Sequence, residues 1–347
     1  MAQQYTTLPG VSYVMPVLNE VTHVLAAVES LLRQDYTGPF EVTLALGPSI
    51  DGTTELLEEL ARTDPRIRVL ANDIGSTPAG LNMAIAASQY PIVIRVDAHS
   101  SLPNNYARIA VETILRTGAD NVGGIMAAEG ETPFEKAVAR AYSSTVGLGG
   151  TPHHVGGNPG PADTVYLGVF RRNRLVEVGM FDEGIKRGQD WELNRRLRAS
   201  GGTVWFTPEL KVTYRPRSSF SRLARQFFST GLWRGELARR FPSANTLRYL
   251  VPPAMVLGVT IGVIVGLIGL AVFTLTGAVI WPLFALLLPA VYIAFVIVAT
   301  LLVARQDGRH AWLWFLAVLP CIHFSWGLGF VAGFLKMTSN ISAHTGR

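Results

Sequence analysis

The sequence predicts an α/β domain built on a mostly parallel sheet, followed by a block of transmembrane α-helices. Three observations predict it. Short runs rich in Val and Ile alternate with helical patterns over residues 10–130, and parallel strands need crossovers of that kind. From Val251 to Ala304 there is no Asp, Glu, Lys, Arg or His. A further apolar run, Ala311–Leu335, is broken only by His323.

Val11–Met15, Val42–Leu46, Ile67–Leu70 and Ile92–Val96 read as strands, and Thr22–Arg33, Thr53–Arg62 and Pro78–Ser88 as the helices between them. Residues 131–180 read as a looser, glycine-rich segment of the kind that is functional or mobile. It includes the adjacent pair His153-His154, which on a strand would point apart and so suits an acceptor or phosphate loop better than a shared metal. A helix opens at Gln189 and runs to about Ser200, stopped by Gly201-Gly202, and residues 203–214 read as one or two strands. From Phe220 to Phe241 the apolar residues Phe220, Leu223, Phe227, Leu232 and Leu237 recur with arginines between them. That pattern predicts a basic amphipathic helix lying in a membrane interface, the alternative being a surface helix packed on the domain.

The uncharged run after Val251 would cover roughly 80 Å as one helix, against about 30 Å of hydrocarbon. It must therefore cross twice, with a hinge between Thr276-Gly277 and Trp281-Pro282. The expected spans are 251–276, 280–304 and 311–335. They set a catalytic domain over 1–215, an interfacial region over 216–250 and a membrane domain over 251–340. Nine basic residues from Lys211 to Arg248 face Glu236 alone, and the loop Arg305–His310 is basic too. The positive-inside rule then places the N-terminal domain in the cytoplasm and the tail after Leu335 outside, with Lys336 and Arg347 as a counter-signal. The expected setting is a plasma (inner) membrane, multi-pass. The first ten residues show no signal-peptide pattern.

With 30 Lys and Arg against 25 Asp and Glu, the net charge of +5 is mostly this membrane collar. No aromatic–basic interleaving points to nucleic acid. The single cysteine, Cys321, falls in the third apolar run, which excludes an internal disulfide and thiolate clusters.

Ligands of open parallel sheets bind beyond the carboxyl ends of the strands. Polar clusters fall there: Asn19-Glu20 after the first strand, Ser49 and Asp51 after the second, Asp97 and His99 after the fourth. An acid at such a place can ligate a divalent ion that neutralises a diphosphate, and imidazole is acceptable to Mn²⁺. Taken alone, Asp97-x-His99 is weak evidence, since an acid and a histidine after a strand are more often a solvated turn. Asp51-Gly52 reads as a turn before a helix, with Asp51 or Thr53 capping it, and Asp190 as an acid in the first turn of a helix.

An ordered set of segments goes further. It comprises Met15-Pro16-Val17-Leu18-Asn19-Glu20, Ser49-Ile50-Asp51-Gly52-Thr53, Thr77-Pro78-Ala79-Gly80-Leu81-Asn82 and Arg95-Val96-Asp97-Ala98-His99. It continues with Asp163-Thr164-Val165, Phe170-Arg171-Arg172, Val178–Glu183 and Gln189-Asp190-Trp191-Glu192-Leu193 to Arg196-Leu197. In that order, over about residues 10–235, the chain resembles a family 2 glycosyltransferase with a GT-A, Rossmann-like nucleotide-diphospho-sugar domain. Within the family it is most similar to the succinoglycan-type ExoA subgroup.

The resemblance implies transfer of a sugar, with inversion, from a nucleotide-diphosphate donor (a UDP- or GDP-sugar). The acceptor would be a polyprenyl-linked or other lipid-linked molecule or a glycan. It makes Asp190 the base and assigns Pro16, Asn19, Glu20, Ser49, Asp51, Asn82 and Asp97 to the donor. A divalent metal, Mn²⁺ favoured over Mg²⁺, would sit at Asp97 and His99, the histidine replacing the second acid of the family's DxD motif. Gln189, Trp191, Arg171, Arg172, Gln226, Trp233 and Arg234 are candidates for the acceptor side, and Glu192 for a structural or acceptor-facing role. A second departure is Leu46-Gly47-Pro48 where the family has a base-reading acid, which leaves the nucleotide open. A second copy of the chain is a candidate partner, beside the bilayer. Two variants stay within the class, a polyprenyl-phosphate glycosyl synthase and a processive synthase, and outside it stands a non-catalytic membrane scaffold with a degenerate GT-A domain.

Overall fold

The computed structural model describes residues 8–242, 249–277, 281–304, 309–338 and 340–344. The expectations resting on the first seven residues, Arg248, the middle of the 276–281 hinge, the loop 305–308 and Arg347 lie outside them. The chain forms two compact units, one of residues 1–127 with 150–214 and one of 128–149 with 215–347.

The first unit is built in chain order from β1 (Val11–Val17), α1 (Val24–Leu32), β2 (Phe40–Leu46), α2 (Thr53–Thr63), β3 (Ile67–Ala71), α3 (Thr77–Ala87), β4 (Ile92–Arg95), α4 (Tyr106–Thr117) and β5 (Asn121–Ala128). After α5 (Pro133–Tyr142) and α6 (Thr145–Leu148), which belong to the second unit, it resumes. There follow α7 (Pro152–Val155), β6 (Gly160–Pro161), β7 (Tyr166–Arg171), α8 (Arg172–Glu177), α9 (Gln189–Ala199) and β8 (Val204–Tyr214). The eight strands lie in the order β3-β2-β1-β4-β7-β5-β8-β6. β1 pairs parallel with both β2 and β4, while β7 runs antiparallel to β4 and β5. Strand order thus reverses at β1, which opens a crevice beyond the carboxyl ends of β1 and β4.

Alternation along β4 sorts its side chains to two cores. Ile92 and Ile94 join Val28, Leu31 and Tyr106 on one face. Val93 joins Leu81, Ile85, Phe181 and Leu193 on the other. Arg95 has the parity of Val93 and so points to the side that carries α3 and α9.

Residues 131–180 are not one loop. Pro133–Tyr142 is a helix opened by a capping box, in which the Glu135 amide donates to Thr132 Oγ1 (3.2 Å) and Glu135 Oε2 accepts from the Thr132 amide (3.0 Å). The signal Thr132-Pro133-Phe134-Glu135 was available; the glycines downstream masked it. His153 and His154 lie on the one-turn helix α7, not on a strand, with ring centroids 4.3 Å apart. Burial pushes the His154 imidazole down to about 3, so it is a neutral group.

The second unit continues with α10 (Phe220–Arg240) and α11 (Val251–Thr276). A 3₁₀ segment Trp281–Leu286 leads into α12 (Leu287–Ala299), a π-helical stretch Thr300–Ala304 follows, and α13 (Arg309–Phe334) closes the unit. Val251–Thr276, Trp281–Val303 and His310–Phe334 are each long and apolar enough to cross a membrane. α10 buries most of its apolar stripe within this unit. Leu223, Phe227, Leu232 and Leu237 are buried, and Phe220 alone of the five is exposed.

Glycine explains the seat of α10. A Cβ on Gly231 or Gly235 of α10 would overlap the carbonyls of Trp326 or Phe330. Conversely, a Cβ on Gly329 or Gly333 of α13 would overlap those of Phe228 or Leu232. Two Gly-x-x-x-Gly pairs therefore face each other at backbone contact, the arrangement that lets helices approach closely. Gly231→Leu should unseat α10 and lower stability by on the order of 2 kcal/mol. Thermal unfolding in detergent checks this, with Leu223→Met, a volume-conserving change at a buried neighbour, expected to move the midpoint little.

Candidate active site

The crevice is framed by loops that hydrogen-bond to one another. The Asn19 amide donates to Ser49 Oγ (3.0 Å), and Asn19 Oδ1 accepts from the Ile50 amide (2.9 Å). Asn19 sits at φ +54°, and this return bond helps hold a conformation unfavourable to a residue with a Cβ. Asp51 accepts from the amides of Val21 (3.2 Å) and Thr53 (3.1 Å) and from the Thr53 hydroxyl (2.5 Å), while Thr53 Oγ1 accepts from the Glu20 amide (2.9 Å). These bonds, the Thr53 hydroxyl first, hold the Asp51 carboxyl below the usual range. Asn19, Ser49 and Asp51 thus build the wall of the crevice from within, and Pro16 lies in β1 beneath it.

Beside that wall, beyond the ends of β2 and β3, a cavity of about 290 Å³ is lined by Leu46, Gly47, Pro48, Ser49, Val69 and Asp73, among others. Asp73 was missed in the sequence because it is one acid in a turn. Only the pairing of β2 with β3 carries it opposite Leu46-Gly47-Pro48.

The charged centre is organised by Arg95, the last residue of β4 and only 5% exposed. Its guanidinium bonds the Asp97 carboxylate (3.2 Å) and also the Asp190 carboxylate, and lies 5.7 Å from the centroid of the Phe181 ring. Burial works against the guanidinium's charge, but Asp190 and Asp97 outweigh it, and the group stays cationic. Burial also pushes the Asp190 carboxyl above its ordinary range; Arg95 opposes the shift and Asp97 adds to it. Tyr166, on β7, is drawn to the same place and hydrogen-bonds Ser100, its phenol pushed well up by burial and by Asp97. Nothing in the sequence singled Arg95 or Tyr166 out; for Arg95 the available signal was a strand that ends on a basic residue two before an acid.

α9 brings Asp190 to this point. Buried Glu192 pairs with Arg195 (3.2 Å) and Arg196 (2.8 Å), and Arg196 donates to the carbonyls of Val178 and Met180. Asn82 fixes the same loop from α3. It donates to Phe181 O (2.9 Å) and Glu183 Oε1 (3.0 Å) and accepts from the Phe181 amide (2.9 Å). Asn82 and Glu192 thus clamp the turn that leads into α9.

His99 Nδ1 lies 3.2 Å from Glu20 Oε1. A carboxylate on one imidazole nitrogen fixes the ring and leaves the other for a ligand, the arrangement common among metal-binding histidines. Among the described residues no three His, Cys, Asp or Glu side chains group into a metal cage. Asp97 and His99 are the side chains that would hold a divalent ion here, with phosphate oxygens and water able to complete its coordination.

Other expected site residues lie elsewhere. Ile92 of β4 is registered with Arg171, so Arg171 and Arg172 lie at the sheet end opposite Asp97. There Arg171 donates to the carbonyls of Ala119 and Ile114 (both 3.0 Å) and Arg172 to those of Ile85 and Ala86 (both 3.3 Å). Both thus bond carbonyls near helix ends at that edge of the sheet. Gln189 opens α9 and Trp191 is buried in it. In the second unit Gln226 accepts from Arg217 (3.1 Å), buried Trp233 donates to His344 O (3.0 Å), and Arg234 lies 4.4 Å over the Tyr249 ring.

A mostly parallel sheet with acids gathered at its switch point is the GT-A arrangement of a glycosyltransferase. The family model "Glycosyl transferase family 2" matches residues 12–175. The succinoglycan biosynthesis protein ExoA of Rhizobium meliloti is 34% identical over 70% of this chain and 74% of its own length. A dolichyl N-acetyl-α-D-glucosaminyl phosphate 3-β-D-2,3-diacetamido-2,3-dideoxy-β-D-glucuronosyltransferase of Methanococcus voltae is 24% identical over 66% and 74% of the two chains. Glycosyltransferase AglE of Haloferax volcanii is 27% identical over 65% and 73%. The chain belongs to glycosyl transferase family 2.

Two outcomes follow from the geometry. Asp190, as the expected base, must be ionised to act, and Arg95→Met removes the cation that favours its ionised form. The acid limb of kcat/KM should therefore move to higher pH, by on the order of one pH unit, with Arg95→Lys moving it less. Asn82→Ala should cost roughly 2 kcal/mol in unfolding free energy through the lost bonds to Phe181, and calorimetric titration should find nucleotide affinity nearly unchanged.

Proposed function

We propose that the protein is a membrane-bound inverting glycosyltransferase that moves a sugar from a nucleotide-diphosphate donor to a hydroxyl of a lipid-linked acceptor in cell-envelope or exopolysaccharide synthesis. The observation that carries this reading is the buried Arg95, which ties Asp97 and Asp190, about ninety residues apart, into one crevice. Asp190 takes the proton of the acceptor hydroxyl as that oxygen attacks the anomeric carbon, and the bond to the diphosphate breaks on the opposite face of the sugar. The raised pKa of Asp190 suits the task, because a base works best when its pKa lies near the operating pH.

Asp97 and His99 would hold a divalent ion, Mn²⁺ favoured, which when bound supplies Lewis-acid stabilisation of the leaving diphosphate. Glu20 orients His99 for that role. The nucleoside occupies the cavity beside Leu46-Gly47-Pro48, where Asp73 supplies a carboxylate for the base. The apolar helices and the arginines of α10 support a lipid acceptor and a cytoplasmic catalytic domain at the inner membrane. So does the Methanococcus relative, whose name places its action on a dolichyl-phosphate-linked sugar.

Asp190→Asn tests the mechanism. It should keep nucleotide-diphosphate binding in the presence of Mn²⁺, read by calorimetry over a panel of nucleotides, while transfer falls by about 10²–10⁴. Near-normal turnover would remove Asp190 from the base role. Failure of every nucleotide to bind the unaltered protein would remove the transferase reading itself.

A further inference from the structure

The proposed reaction uses no residue of Asp163–Tyr166, yet every polar side chain of that segment is tied to the framework of the crevice. Asp163 pairs with Arg198 (3.4 Å), and Thr164 Oγ1 accepts from Asn194 Nδ2 (2.9 Å). Both partners lie on α9, the helix that carries Asp190. Tyr166 turns elsewhere. Its phenol hydrogen-bonds Ser100 and lies close enough to Asp97 and Arg95 to feel their charges. Ser100 in turn donates its amide to Asp97 O (2.9 Å), closing the turn that holds Asp97 and His99.

Tyr166 reaches that turn because β7 is bulged. From the pair Val122–Val169 to the pair Gly124–Tyr166, β5 advances two residues and β7 three. Strict alternation would put Tyr166 on the face of Phe170, among side chains of α3 and α9 such as Leu81 and Leu193. The extra residue moves it to the face of Val169, where Ala98 and Leu102, from the segment after β4, also pack. Leu167 bears the strain, at φ +43°, a conformation unfavourable to a residue with a Cβ. The Tyr106 hydroxyl, from α4, donates to Leu167 O (3.2 Å) and helps hold it there. Gly123 of β5 makes room for the segment, since a Cβ there would overlap Val165 and the Tyr166 carbonyl.

A tyrosine kept for packing alone needs no such device; Tyr13 lies in the same core on β1, which pairs in regular register. Strained backbone persists where the surrounding structure over-determines it, and bulges beside active sites re-aim a side chain.

We propose that Tyr166 is a positioning residue of the transferase: through Ser100 it locks the turn that presents Asp97 and His99, while Asp163 and Thr164 fix the same strap to α9 and so to Asp190. The role rests on Asp97 and His99 holding a divalent ion, as proposed above.

Calorimetric titration with UDP and with GDP over a range of Mn²⁺ concentrations tests it, using the full-length protein in detergent. Tyr166→Phe keeps the ring and removes only the hydroxyl. It should raise the Mn²⁺ concentration for half-maximal nucleotide affinity by about tenfold, the lower end of the effect of groups that act behind a metal ligand. Ser100→Ala should do the same, and the double variant should be no worse than either, because the two changes break one bond. Nucleotide affinity without metal should be unchanged in all three, and Tyr13→Phe should leave the Mn²⁺ dependence unmoved. If the Mn²⁺ dependence of Tyr166→Phe stays that of the unaltered protein, whatever its unfolding midpoint, Tyr166 is a packing residue and the proposal falls. An equal loss of metal-free affinity, marking general damage to the crevice, would overturn it too. Nucleotide binding that ignores Mn²⁺ in the unaltered protein would remove the metal reading and this role with it, a failure visible before any variant is made.

Discussion

The first unit depends on a buried guanidinium. Arg95 closes β4 among apolar side chains, where an unpaired cation would not be tolerated, and it is held there by carboxylates from two directions. One acid comes from the turn after its own strand, the other from the first turn of α9. The requirement that Arg95 be neutralised therefore positions the two acids to which the proposed reaction assigns the metal and the base. It also makes them mutually sensitive, since each carboxylate feels the other's charge as well as the arginine's.

Around that centre the protein invests its polar residues in fixing loops. Asn19, Ser49, Asp51 and Thr53 fasten the ends of β1 and β2 to each other, Asn82 copies the hydrogen bonding of a backbone on Phe181, and Glu192 with Arg196 grips the turn before α9. Met180, at φ +55°, lies within that grip. Such scaffolding suits the direct displacement proposed above, because the rate of such a step rests on how well the reacting groups are positioned.

The second unit is organised by an opposite principle, the absence of side chains. Facing Gly-x-x-x-Gly pairs bring α10 and α13 to backbone contact, and a further row of glycines seats α11 on the second span. Close approach replaces hydrophobic drive where the surroundings are themselves apolar.

Local signals determined much of this in the sequence itself. The alternation of apolar strands and helices, the charge-free run after Val251 and the polar residues at strand ends are properties of neighbouring residues, and each was legible with its boundaries off by a few positions. The ordered motifs fixed the family, and with it Asp97 and Asp190 as the residues to watch. Tertiary structure alone decided what depends on distant segments meeting. It made Arg95 the bridge, put Asp73 and Tyr166 beside the crevice, turned Asn82 into a clamp, and sent Arg171 and Arg172 to the far end of the sheet through an antiparallel register. It likewise showed that α10 buries its apolar stripe on α13. A helical pattern states which face is apolar, but not which neighbour covers it; that depends on where another part of the chain comes to rest.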